Sequence, residues 1–176
     1  IRSRARRGES RTLGERTNGL QAASLLLASP GVGLSEQSSL VVEAMRDLED
    51  GVRTPLTAFC EHVQSGELHD LQLDYVDTFD LRRKCCLYLT YFSHGDTRKR
   101  GMALLRFSHA YRSAGVEFTG DDLPDHLAVV CESAATAPPD LGLRLPIHRR
   151  PGPAVLRKAP AGPAALNHDF LKNGKR

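Results

Sequence analysis

Residues 73–107 read LDYVDTFDLRRKCCLYLTYFSHGDTRKRGMALLRF. With Leu71 just before it, the stretch places Leu71, Tyr75, Val76 and Phe79 at helical spacing, and CCLYLTYF at 85–92 prolongs the hydrophobic run. A segment apolar nearly all round predicts a helix at the centre of a bundle. After the break at Ser93-His94-Gly95, Asp96 predicts a cap for a helix that carries Met102, Leu105, Phe107, Ala110, Tyr111 and Ala114 inward and closes at Gly115.

The flanks continue the pattern. Leu20 to Ala28 predicts a buried first helix, stopped by Pro30 and the turn SPGVG. Glu36 to Asp50 places Leu40, Val41, Ala44, Met45 and Leu48 on one face and ends at Gly51. Thr54-Pro55 predicts a cap with proline at the first helical position, followed by Leu56, Phe59, Cys60 and Val63 up to Gly66. Downstream, a turn at Gly120 and Pro124 near a helix start precede Leu127, Val130, Cys131 and Ala134. No sustained period-two alternation occurs, so the predicted fold is all-α: a single-domain bundle over residues 20–137.

The ends differ in character. Residues 1–19 lack apolar periodicity and predict a solvated, mobile basic arm. Residues 138–176 predict a poorly ordered Pro/Arg-rich tail or a disrupted helix. There Pro146, Pro153, Leu156, Pro160 and Pro163 keep a helical rhythm with a residue that costs about 3 kcal/mol inside a helix.

The formal net charge of +3 conceals a segregation. Residues 1–16 hold six arginines against Glu9 and Glu15, and residues 143–176 hold eight cations against Asp169. The middle is left with ten cations against eighteen acids, which disfavours phosphate binding and favours cationic partners. No helix-turn-helix pattern carries the basic residues, so no nucleic-acid partner is expected. No apolar run reaches membrane-spanning length, so no membrane insertion is expected. Ser29-Pro30-Gly31 is a poor signal-cleavage site, and four cysteines without a C-x-x-C pair fit a reducing cytoplasm.

Catalytic patterns are missing: no HExxH, no G-x-S-x-G elbow and no phosphate loop accompany His94, His109 or His126. A non-enzyme without metal or cofactor is therefore expected. Vicinal Cys85 and Cys86 lack further ligands on the same helix and read as small hydrophobes. The alternative is a helical scaffold, metal- or redox-responsive through that pair. Arg98, Lys99 and Arg100 oppose the macrodipole of the helix they begin, so they call for compensation by Asp77, Asp80 or Asp96, or for a ligand. Asp74, Asp77, Asp80, Asp121, Asp122, Asp125 and Glu132, set among Tyr75, Phe79, Tyr88 and Phe92, suit a groove for an amphipathic basic peptide.

The segment quoted above, followed by LPDHLAVV at 123–130, resembles the delta-subunit assembly chaperones of respiratory nitrate reductase, within the all-helical molybdoenzyme maturation chaperones. The resemblance implies a cytoplasmic chaperone that binds the apo catalytic (alpha) subunit at its N-terminal segment until the molybdenum cofactor is inserted. The machinery that delivers that cofactor would be a second partner. By position, the resemblance assigns client binding to Tyr75, Asp77, Phe79, Asp80, Arg82, Arg83, Tyr88, Tyr91, Asp96, Arg98, Asp125 and His126. Ser133 departs from the family pattern, which has an aromatic there.

Overall fold

The structure, a computed structural model, describes residues 14, 17–46, 48–117 and 122–136. Most of the basic arm, the turn at Gly120 and the proline-rich segment 138–176 lie outside the described residues. Within them the fold is all-α, as expected.

Helix α1 spans residues 17–27, so it takes in Thr17, Asn18 and Gly19, which the sequence assigns to the arm. It is the centre of the packing. Ala23 and Leu27 enter one apolar cluster with Phe79, Cys85, Leu87, Leu127, Ala128 and Cys131, while Ala22 and Leu26 enter a second with Val41, Met45, Leu48, Leu56 and Cys60. Burial on two sides explains why its C-terminal half carries almost no polar residues.

After Pro30 the chain turns through Gly33, whose φ of 95° lies where a side chain is strained. Helix α2 follows, Leu34–Ala44. It ends six residues before the expected Asp50, and its inward face is Leu34, Ser38 and Val41, continued by Met45 and Leu48 in the turn. Leu40, expected in the core, is 68% exposed. Buried Ser38 takes the inward position because its hydroxyl donates to the Ser35 carbonyl at 2.7 Å and accepts from Gln64 of α3 at 3.2 Å.

Helix α3, Asp50–Ser65, starts four residues before the expected Thr54 cap and runs through Pro55. The Glu49 carbonyl accepts from the Val52 and Arg53 amides, both at 2.9 Å, and the Arg53 guanidinium reaches back to Asp50 and to the Arg46 carbonyl. Those bonds break the chain between Arg46 and Asp50 and draw Gly51 into the first turn of α3. Leu56, Cys60 and Val63 are buried as the spacing predicts.

Helix α4, Leu68–Tyr75, passes into a single π turn, Val76–Asp80, closed by the Leu81 amide on the Val76 carbonyl at 3.0 Å. Next comes a 3-10 turn, Arg83–Cys85, then extended backbone, then a short helix α5, Leu89–His94. The continuous apolar helix expected over 85–92 is therefore absent. Its backbone pairs elsewhere: Leu127 N–H donates to the Leu87 carbonyl at 2.9 Å, and Leu89 N–H to the Asp125 carbonyl at 3.1 Å. This antiparallel bridge between Tyr88 and His126 satisfies groups that a helix would have satisfied locally.

Helix α6, Arg98–Ser113, is preceded by Thr97 rather than by the expected Asp96 cap. It buries Ala103, Phe107 and Tyr111, one residue per turn, and leaves Met102 and Leu105 each 61% exposed. Helix α7, Leu127–Thr136, closes the bundle with Leu127, Ala128, Val130, Cys131 and Ser133 inward. No described helix is long and apolar enough to cross a membrane.

Tyr111 joins α6 to the segment before α7, its hydroxyl donating to the Pro124 carbonyl at 2.6 Å. A Tyr111→Phe variant keeps the ring and loses that bond. Urea unfolding should show a loss of about 1–2 kcal/mol, the usual cost of one buried hydrogen bond with its acceptor stranded.

Candidate functional site

Helix α5 has no local capping side chain, because Tyr88 occupies the cap position. Asp125 supplies the cap from across the fold. Its Oδ2 accepts from the Thr90 amide at 2.8 Å and from the Thr90 hydroxyl at 2.6 Å, with both residues buried. Among the described residues, Asp125 Oδ1 and the neighbouring His126 Nδ1 are buried without hydrogen-bond partners.

Around this node the side chains interlock. His126 meets the Tyr88 ring edge-on at 5.1 Å. Burial pushes the His126 imidazole below its usual range, against the opposing pull of Asp122, Asp125 and Asp80. Arg100, 19% exposed at its side chain, lies 5.5 Å over Tyr88 and 5.9 Å over Tyr91, while reaching Thr90 Oγ1 and Asp96 Oδ1 at 3.4 Å each. The compensation demanded by a cation in the first turn of α6 is met for Arg100 by Asp96 and the two rings.

Tyr75 donates from its hydroxyl to the Leu27 carbonyl at 3.1 Å and packs on Phe79 at 5.0 Å. Burial raises its hydroxyl pKa, and Asp80, Asp122 and Tyr88 raise it further. Burial likewise raises that of Tyr88, with Asp122 and Asp80 the leading charges. Asp80 and Asp122 thus impose a shared negative field on Tyr75, Tyr88 and His126.

Beside this cluster runs a cleft of about 330 Å³ between α1, the α1–α2 turn, α2 and α7. Ser24, Val32, Gln37 and Val129 line it together with the carboxylates of Asp122 and Glu132. A smaller cleft on the other side of the α1–α2 turn is walled by Phe59, Asp74, Tyr75 and Phe79, and the two share Ala28 and Leu34. Mixed apolar and anionic lining suits the side chain of a lysine or arginine, whose stem is apolar and whose head is charged.

Of the residues assigned from the sequence, Tyr88, Asp125 and His126 form the node, the charge of Asp80 acts on Tyr75, Tyr88 and His126, Tyr75 and Phe79 line the smaller cleft, and none lines the larger one. Tyr91 and Asp96 join the node through Arg100. Asp125, His126 and Phe79 are buried and shape the surface from beneath, while Asp77 and Arg82 pair with each other at the surface. Arg83 and Arg98 are exposed and line neither cleft. Thr90 and Arg100 are the members that the assignment omitted. The one aliphatic hydroxyl inside LYLTYF was the available signal for Thr90.

The cysteine alternative gains no support. Burial pushes the thiols of Cys85 and Cys86 up, Cys60 to about 11 and Cys131 to about 12, whereas reactive thiols need the opposite shift. Among the described residues, no group of three or more His, Cys, Asp or Glu side chains is placed to hold a metal.

Comparison with known proteins bears on this arrangement. The nitrate reductase-like protein NarX of Mycobacterium tuberculosis is 38% identical over 125 residues, which is 71% of this chain and 19% of NarX. The nitrate reductase molybdenum cofactor assembly chaperone NarJ of Escherichia coli is 29% identical over 122 residues, 68% of this chain and 52% of NarJ. The chain thus spans about a fifth of one relative and about half of the other. The fold matches the crystal structure of a candidate redox enzyme maturation protein from Archaeoglobus fulgidus with a TM-score of 0.64, at 19% identity over 89% of each chain. The family model of the nitrate reductase delta subunit matches residues 45–140, more than half of the chain. The all-α chain carrying this node and cleft belongs to the nitrate reductase delta subunit family.

Proposed function

We propose that this chain is an assembly chaperone for a nitrate reductase: it binds the catalytic (alpha) subunit in its apo form, through that subunit's N-terminal segment, and releases it after molybdenum cofactor insertion. On this reading the protein is not an enzyme and acts in the cytoplasm, and the machinery that delivers the cofactor is a transient partner. The observation that carries the reading is a cleft holding Asp122 and Glu132 beside apolar walls, in a chain of this family. Such a surface suits an amphipathic helix with basic residues at helical spacing. The buried node lies outside the lining of this cleft and holds Tyr88 and the N-terminus of α5 in place.

The test is titration calorimetry with a peptide copying the first ~15 residues of the co-encoded catalytic subunit, about four helical turns. Micromolar or tighter binding that weakens about tenfold or more between low and high salt is the expected result. Salt-independent binding would remove the electrostatic part of the reading. No binding by the folded protein would remove the client assignment.

A further inference from the structure

The chain also carries a basic segment of its own ahead of α1. We propose that residues 1–13 dock in the cleft between α1 and α7 of the same molecule and compete there with the client segment. This rests on the chaperone reading for the identity of the competitor, but not for the docking itself.

Complementarity of charge is the first argument. Residues 1–13 hold Arg2, Arg4, Arg6, Arg7 and Arg11 against Glu9 alone, and the cleft presents Asp122 and Glu132. A cleft of about 330 Å³ has room for one or two arginine side chains, not for a folded partner. Reach is the second argument. The segment leads directly into α1, whose Gln21, Ser24 and Leu25 form one wall. From Thr17 to Ser24 is roughly 10 Å along α1, while 13 extended residues reach about 43 Å. Gly14, beside the segment, is exposed.

The other basic segment fits less well. Residues 143–176 are broken by Pro146, Pro151, Pro153, Pro160 and Pro163, whereas residues 1–13 contain no proline and can present arginines at helical spacing as a client helix would. Tethering supplies the strength. At an effective concentration of about 1 mM, an arm with an intermolecular Kd of about 0.25 mM fills the cleft about 80% of the time and weakens client binding about fivefold.

Two measurements test this. In the first, a peptide copying residues 1–16 is titrated into the isotopically labelled full-length chain with Arg2, Arg4, Arg6 and Arg7 changed to Gln, and the Ser24, Val129 and Glu132 amides are followed by NMR. Saturable shifts that vanish in the Asp122→Asn/Glu132→Gln variant are expected; no shifts at those amides would overturn the docking. In the second, a labelled client peptide is titrated into the unaltered chain and into the same full-length chain with Arg2, Arg4, Arg6 and Arg7 changed to Gln. Affinity should rise about fivefold in the altered chain. Equal affinity in both overturns the competition. Arm-peptide shifts without client binding by either chain would uphold the docking and overturn the client reading instead.

Discussion

An Asp125→Ala variant should lose about 3 kcal/mol of folding stability, seen as a lower urea midpoint at unchanged slope. The carboxylate closes the N-terminus of α5 by accepting from both the amide and the hydroxyl of Thr90, in a place without access to water. Truncation strands two donors at once, each costing about 1–3 kcal/mol, and relief of the unpartnered Oδ1 recovers part of that. Against a typical total of about 5–15 kcal/mol this is a large fraction. Asp125→Asn keeps an oxygen in the accepting position, so its cost should be about 1 kcal/mol. A loss below about 1 kcal/mol in the alanine variant would show that the cap is dispensable, and the node would then be no more than a meeting of neighbours.

The Asp122→Lys/Glu132→Lys variant should leave stability within about 0.5 kcal/mol, since both side chains are exposed, and weaken a basic client peptide about thirtyfold at low salt. Each reversal exchanges an attraction of about 0.5–1 kcal/mol for a repulsion of similar size, which sums to about 2 kcal/mol or more over both positions. Screening should shrink the difference at high salt, because the charges are in contact with solvent. Unchanged affinity would move the client away from this cleft and toward the aromatic one at Tyr75 and Phe79.

Some of this molecule is legible in the chain. The stripe Leu56, Cys60 and Val63, and the stop at Pro30, follow from spacing and backbone chemistry alone. So does the absence of a described strand, since only isolated bridging occurs. The failures share a cause, namely distant backbone or side-chain partners. Residues 85–92 are apolar enough to continue a central helix, yet Leu87 and Leu89 bond to residues around His126. At the break between α2 and α3, Arg53 reaches back to the Arg46 carbonyl, a contact seven residues apart. Leu40, Met102 and Leu105 lie on helical faces broad enough to look buried, but the facing elements cover less than the apolar arc.

The site divides in the same way. Tyr75, Asp80, Tyr88 and Asp125 were singled out because their segments resemble a known family; Tyr88 and Asp125 belong to the node, and Tyr75 lines the smaller cleft. The cleft was not found as a cavity, although Asp122 and Glu132 stand out as acids. Its walls come from α1, α2 and α7, and no short window of sequence contains all three.

The pairing of Tyr88 with His126 also bears on how the chain folds. It joins the two ends of the segment that contains α5 and α6, so the segment becomes a closed ring in the chain's path. Closing such a ring carries an entropic cost that grows only slowly with its length but must be met before the contact returns anything. The capping carboxylate arrives with the same strand, so α5 acquires its N-terminal bonds only when the ring shuts. Helices α5 and α6 are thus expected to be gained and lost together, as one late cooperative unit, on a scaffold of α2 and α3 whose contacts with each other are more local.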